Sequence, residues 1–478
     1  MRISTALQAM LFIGRSRELG RLRAAFDQRE ASVVNVSGLR GVGKTALLTR
    51  AVEGFDALHL RLPPLPDPAQ REALAAALRR SSPPESESEA PVSGGTSWAD
   101  LFATALRRAE PGGAPYVLVL DDAHRLRQAR SRYQAPLRSV LELARASGRA
   151  LHVVLLSHSP SSMASPKLAD MLGGHVDVGP LPFRSAIPLL PRGHPRDLVQ
   201  AYAVFGGIPR ILNMVDPSTT LGTNLRNLVF DANGRLAEAG RDWLEPDLQI
   251  PARYYAVLAT LSTGEADWRT VHEGVADLTT SGQVAPYLQR LHELGLLDIR
   301  RSMDTKPRSR SRRYRITDPF LAFWFRFVLP YLQNGRGLDA AEYLNEVVRP
   351  KLDAHTDGIF PAICRDFMRL DAIEAFGANA REGGSLWGKD YRVDVAGILS
   401  SGAAYYGDCF WAGLPSKSHP LEQLDAAIRE TRYGFGRDQR VRLIFTGRPL
   451  RRVQRRQVAR RLDARVVDAD ALAGVDDA

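Results

Sequence analysis

The chain has 478 residues, too many for one hydrophobic core, so roughly two to four domains are expected. Lys and Arg number 64 against 53 Asp and Glu, a net charge of +11 with a pI of about 9.8; the excess suits polyanionic partners, nucleic acid or acidic membrane, and equally suits an arginine-rich proteome. The two cysteines, Cys364 and Cys409, stand far apart with no CxxC, which excludes a disulfide framework and a cysteine-based zinc site and fits a reducing, cytoplasmic setting.

The opening MRISTALQAMLFIG holds a short apolar run without a small-x-small cleavage site and is not read as a signal peptide. From 16 to 29, SRELGRLRAAFDQR places Leu19, Leu22 and Phe26 on one helical face. ASVVNVSG then reads as a buried strand ending at Gly38, and a helix begins near Lys44. Residues 81–97, rich in Ser, Pro, Gly and acid, read as a mobile insertion loop. WADLFATALRRA follows as a helix, YVLVLDDAH as a buried strand, and LHVVLLSHS, from 151, as another. Strands alternating with helices predict a parallel, doubly wound sheet.

Short helical segments dominate from 181 to 245. Residues 251–317 give three helical patterns, YYAVLATL, WRTVHEGV and QVAPYLQRLHELG, then strand-like arms, LLDIRR and RRYRIT, around a basic tip. That order is expected for a winged helix-turn-helix. FLAFWFRFVLPYL, broken by Arg326 and Pro330, is too short to span a bilayer, so no membrane segment is expected. Further on come helices, two or three strands within DYRVDVAGILSSGAAYYGDCFWA, the strand VRLIFTG and a basic helix, LRRVQRRQVARRL.

GxxxxGK[ST] is matched by Gly38, Gly43, Lys44 and Thr45 between a strand and a helix. Such a loop turns its N–H groups onto phosphates, and glycine permits the close approach. Gly41 and Ala46 complete the expected nucleotide-binding set. Lys44 is expected to bridge the β- and γ-phosphates, and the Thr45 hydroxyl to ligate Mg²⁺. Asp121, at the end of an apolar strand, is the second expected Mg²⁺ ligand. Asp122 stands where many ATPases place a water-orienting glutamate; being one methylene shorter, it predicts slow hydrolysis suited to a switch. Ser157 or His158, at the end of the next strand, could sense the γ-phosphate, or simply close the strand.

FIGRSREL at 12–19, GLRGVGKT at 38–45, VLVLDDAH at 117–124 and FGGIPRIL at 205–212 together resemble the archaeal-type ATPases of the STAND branch of the AAA+ superfamily. YRITDPFLAFWFRF at 314–327 resembles the segment following the winged helix in that family, and the last part its restriction-endonuclease-like domain of DUF234 type. The resemblance implies ATP and Mg²⁺ as cofactors and puts Gly14, Arg15, Glu18 and Pro209 near the adenine. The implied fold class is α/β: a P-loop ATPase domain (11–180), a helical lid (181–245), a winged helix (246–330) and a degenerate restriction-endonuclease-like domain (335–470).

Nucleases of that type need carboxylates on Mg²⁺ and a lysine near the nucleophile. Asp394 and Asp408 match two acids of the pattern, but Phe410 replaces the lysine and Pro361 stands where a helix Glu is common, so a degenerate fold kept for binding or assembly is expected. The wing, with Arg301, Lys306, Arg308, Arg310, Arg312 and Arg313, could follow DNA phosphates or be a solvated loop. The aromatic cluster Phe320, Phe323, Trp324, Phe325 and Phe327 reads as core. The expected function is a nucleotide switch coupled to DNA, a protein partner or self-association, with no membrane role. An ATP-regulated nuclease and a nucleotide-stabilised scaffold are the alternatives.

Overall fold

The computed structural model describes residues 12–81, 97–158, 166–244, 251–275, 281–305, 311–335, 338–414 and 419–475. The chain forms two compact units, residues 1–179 with 293–295, and residues 180–292 with 296–478. The insertion loop, apart from its end residues, and the wing tip at 306–310 lie outside the described residues.

The first unit is built on a five-stranded sheet in the order β2-β3-β4-β1-β5, with β1 at Ser32–Ser37, β2 at Asp56–Arg61, β3 at Tyr116–Asp121, β4 at Leu151–Leu156 and β5 at Leu172–Asp177. Every pairing is parallel. Parallel strands with helices over both faces need apolar residues at every position, and β1, β3 and β4 are buried throughout. The edge strands β2 and β5 leave no long apolar run to read in the sequence, because nearly all their residues are exposed or half-buried. Helix Trp98–Arg108 starts at a Ser97/Asp100 capping box and buries Trp98, Leu101, Phe102, Ala105 and Leu106, the spacing of a single helical face. These residues pack with Leu118, Leu120, Val153 and Leu155 in one core.

The second unit opens with short helices, among them Pro195–Phe205, Pro209–Leu212 and Ala239–Leu244. Helix Pro251–Leu261, β6 (Ala266–Asp267), helices Trp268–Glu273 and Ala285–Glu293, then β7 (Leu297–Arg301) and β8 (Arg312–Ile316) follow; the three strands make an antiparallel sheet ordered β6-β8-β7. After the 28-residue helix Arg349–Phe376 comes a mixed sheet, β13-β12-β11-β10-β9, from β9 (Ala380–Trp387), β10 (Arg392–Leu399), β11 (Ala404–Phe410), β12 (Arg440–Thr446) and β13 (Ala464–Asp468). Its first three strands pair antiparallel and its last three parallel. Phe320, Phe323, Trp324, Phe325 and Phe327 are all buried, as core residues should be.

Asp318 organises the middle of this unit. Its carboxylate caps helix Pro319–Phe323, accepting from the Leu321 N–H at 3.2 Å, and it lies against the Gly206–Gly207 turn. A Cβ on Gly207 would fall 2.1 Å from the Leu181 carbonyl oxygen, and one on Gly206 would fall 2.6 Å from Asp318 Oδ2, so the close approach demands the double glycine. Burial pushes the Asp318 carboxyl up to about 7, against the pull of the backbone N–H groups of Leu321, Phe320 and Gly207.

The root of the β7–β8 hairpin is committed to protein. Arg300 pairs with Glu265 and reaches Ser385, Arg313 lies 3.7 Å from the same glutamate and 5.2 Å over the Trp387 ring, and Arg315 pairs with Asp298. Met303 N–H donates to the Ser385 carbonyl at 3.1 Å, and Trp387 N–H to Ser302 Oγ at 2.8 Å, so the hairpin continues onto the edge of β9. Arg301 and Arg312 are exposed, while Lys306, Arg308 and Arg310 lie outside the described residues.

Candidate nucleotide site

The loop Gly38–Thr45 leaves the buried end of β1 and enters helix Lys44–Ala51. Gly38, Gly41 and Gly43 all have positive φ, and a Cβ on Gly38 would fall 2.1 Å from the Val178 carbonyl oxygen. Only glycine lets the loop start there. Lys44 Nζ donates to the carbonyls of Gly38 and Leu39, each at 2.8 Å, which folds its ammonium over the loop. Burial pulls the Lys44 ammonium down to about 8, opposed by the charges of Asp121 and Asp122. Ala46 is on the first turn of the same helix, exposed.

Strand β3 delivers the carboxylates. Asp121 Oδ2 accepts from Thr45 Oγ1 at 3.1 Å and lies 3.4 Å from His59 Nε2, while Oδ1 accepts the Asp122 N–H at 2.7 Å. Burial would raise the Asp121 carboxyl, but hydrogen bonding from His59 and from the backbone leaves it below its ordinary value. A hydroxyl and a carboxylate side by side are hard oxygen donors, the set a Mg²⁺ ion takes.

Asp122 is held differently. It is non-glycine yet has φ 58°, a conformation kept only where its surroundings enforce it. Arg61 Nε at 2.9 Å and an Arg125 guanidinium nitrogen at 3.0 Å bind its Oδ2, and His158 Nε2 lies 2.9 Å from Oδ1. Burial works to raise this carboxyl, but the hydrogen bonds from His158 and Arg61 outweigh it and hold Asp122 well below the usual carboxylate range. Burial, reinforced by neighbouring His158, lowers the His124 imidazole to about 4, so it is neutral at physiological pH. His59 and Arg61 escape a reading of the sequence because they sit on β2, the edge strand without an apolar run. Arg125 and His124 follow the DD pair, and only the turn after β3 brings them round.

Of the remaining predicted residues, Arg15 is buried and donates to the carbonyls of Val42 at 3.0 Å and Gly179 at 2.6 Å, and pairs with Glu18 at 3.1 Å. It braces the phosphate loop through Val42. Gly14, just before it, has φ 67°. Ser157 is buried, its N–H on the Val36 carbonyl, so it closes the sheet beside β1. Pro209 opens helix Pro209–Leu212 in the second unit.

Among the described residues, Asp122, His124 and His158 are the one group of His, Cys, Asp or Glu bringing three ligand-capable atoms within 4.8 Å of one another. Asp394 and Asp408 form no such group in the C-terminal domain. Asp394 is tied to Arg392 at 2.8 Å and to the Cys409 N–H at 3.3 Å. Burial, with the charge of Asp394, pushes the Asp408 carboxyl up to about 7. No helix among the described residues is long and apolar enough to cross a membrane.

A parallel sheet with a glycine loop running from an interior strand into a helix, faced by a strand-end carboxylate, is the arrangement of a P-loop nucleotide-binding domain. Residues 11–156 match the AAA ATPase domain, and residues 324–420 match DUF234, described as archaeal and bacterial proteins of unknown function. The chain thus combines an AAA ATPase domain with a C-terminal DUF234 region. It is 19% identical over 399 residues to the uncharacterized protein MJECL04 of Methanocaldococcus jannaschii, spanning 81% of this chain and 84% of that one. Among solved structures, it is similar to the Walker-type ATPase PABY2304 of Pyrococcus abyssi (19% identity, 65% of this chain, 95% of that chain, TM-score 0.49). It is also similar to the ORC2 protein of Aeropyrum pernix in its ADPNP–ADP complexes (13% identity, 68% of this chain, 95% of that chain, TM-score 0.41).

Proposed function

We propose that this protein is an ATP-binding switch of the STAND type, which hydrolyses slowly and couples its nucleotide state to the binding of DNA or a protein partner. The observation that carries this reading is the clamp on Asp122. A carboxylate placed to orient water, but held by Arg61, Arg125 and His158, cannot take up a water's proton until the clamp opens. In this reading Gly38, Gly41, Gly43, Lys44, Thr45 and Ala46 bind the phosphates, and Thr45 with Asp121 holds Mg²⁺. Arg15 keeps the loop in shape. The nucleotide supplies the phosphoanhydride bond; the chain supplies position and charge.

Asp122→Asn should slow single-turnover hydrolysis about a hundredfold, within the usual range for a general base, and leave ATP affinity nearly unchanged, because every group that binds phosphate is retained. Asp121→Asn should instead weaken the Mg²⁺-dependent part of binding. Wild-type hydrolysis in both variants would mean that β3 is not the catalytic strand. A wild-type rate like that of a processive motor would end the switch reading. For the coupling itself, duplex DNA binding is compared with ATP, a non-hydrolysable analogue and ADP. Affinity should differ between triphosphate and diphosphate, and equal affinities for DNA and for a captured protein partner would exclude coupling.

A further inference from the structure

We infer that the helix Arg452–Ala459 of the C-terminal domain is a docking face for the phosphate backbone of duplex DNA, separate from the wing and independent of the nucleotide reading. Between residues 448 and 462 the chain carries seven arginines and no acid. The two outermost are used by the fold: Arg448 pairs with Asp353 at 3.3 Å, and Arg461 with Asp425 at 2.7 Å and Asp463 at 2.9 Å. Between them, Arg452, Arg455, Arg456 and Arg460 are exposed, and none has an ion pair or side-chain hydrogen bond among the described residues.

At about 100° per residue those four guanidinium groups fall within an arc of about 140°. Buried Gln454 and Val458 lie on the opposite side, Val458 packing into the core with Leu424, Ile428 and Leu450. The helix is therefore anchored by one face and presents a single sign of charge on the other. That arrangement works against the helix. Arg452 and Arg456, and Arg456 and Arg460, are like charges at i,i+4, and Arg452 stands at the positive end of the helix dipole. A solvated face that served only solubility would mix signs, as the i,i+4 pairs Arg71–Asp67 and Arg138–Glu142 do in the first unit. A line of anions would remove the repulsion.

The chemistry of the face selects nucleic acid over the other polyanions. Guanidinium groups bind phosphate through paired N–H donors. Eight residues of helix extend about 12 Å, a length over which duplex DNA presents about seven charges. Val453 is the one large aliphatic residue exposed on the helix, and no aromatic accompanies it. An acidic membrane surface would need an apolar stripe to insert, and a stable protein interface an apolar or aromatic centre. The wing is less available, since Arg300, Arg313 and Arg315 are paired within the protein. Phosphate contacts carry no sequence information, so binding here should be indifferent to sequence.

The test uses the full-length protein and a fluorescently labelled random-sequence duplex, with anisotropy followed from low to physiological salt. Replacing Arg452, Arg455, Arg456 and Arg460 together by Gln, a good helix former, should lower affinity at least about tenfold. It should also reduce the log–log salt slope by about 0.9 for each phosphate no longer neutralised, or about 3.6 if all four arginines engage phosphate. The matching four-fold Lys variant should keep most of the binding, which shows that the helix has folded and that charge is what acts. A variant with Arg301→Gln and Arg312→Gln on the wing should leave the slope nearly unchanged. Equal affinity and slope in the Gln variant would overturn the inference. So would loss of binding in the Lys variant, or a wild type that ignores duplex at low salt and binds phosphatidylserine vesicles or an acidic polypeptide.

Discussion

Lys44→Ala should remove most of the affinity for ATP, on the order of 2–4 kcal/mol, which corresponds to roughly thirty- to a thousand-fold in Kd. The Gly38 and Leu39 carbonyls fold the ammonium over the loop, and alanine there leaves the β- and γ-phosphates without that charge. The pH dependence is a second signature. Burial brings the Lys44 ammonium down to about 8, and bound phosphates would raise it again, so binding takes up a proton once the solution is more basic than that. Wild-type affinity should be level near neutrality and fall as pH rises through 8; in Lys44→Ala that fall should disappear. Isothermal calorimetry at several pH values measures both effects. Unchanged affinity in the variant would mean that this loop does not hold the phosphates.

The second large effect belongs to Asp318, far in sequence from the loop. Its folded pKa of about 7 lies above the ordinary aspartate value of 3.8, so the native state binds the extra proton between about pH 4 and 7. Where the native state binds more protons than the unfolded one, stability falls as pH rises. The contribution is fully present below the unfolded pKa and lost once the pH passes 7, a change on the order of 4 kcal/mol for a shift of this size. Asn has no proton to lose and caps a helix as well as Asp does. The difference in unfolding midpoint between Asp318→Asn and wild type should therefore move in favour of the variant from pH 5 to pH 8. A constant offset would reflect contacts with the Gly206–Gly207 turn alone, and would refute the buried, proton-binding carboxyl.

The C-terminal nuclease signature illustrates where residue type stops being informative. Asp394 and Asp408 keep the acids of a metal site, yet one is engaged by Arg392 and the Cys409 N–H while burial pushes the other toward neutrality. That Phe410 stands where the resemblance would put a lysine was legible in one dimension. That Asp394 pairs with Arg392 and that Asp408 is buried was not, because burial and partner distance belong to no single residue.

From the chain alone came the phosphate loop, the strand carrying Asp121 and Asp122, the short helices beyond 180, the paired strands LLDIRR and RRYRIT, and the C-terminal strands in DYRVDVAGILSSGAAYYGDCFWA and VRLIFTG. All are local: a fixed spacing of glycines, or an apolar run whose period names helix or strand. Only the tertiary structure decided what those residues face. It brought Arg61, from an edge strand with no apolar run, to Asp122, and His158 to the same carboxylate. It committed Arg300, Arg313 and Arg315 of the wing to internal partners while leaving Arg452, Arg455, Arg456 and Arg460 with none among the described residues. Charge and hydropathy are properties of a residue, whereas pairing depends on which strands the sheet places side by side, and sequence order does not contain that.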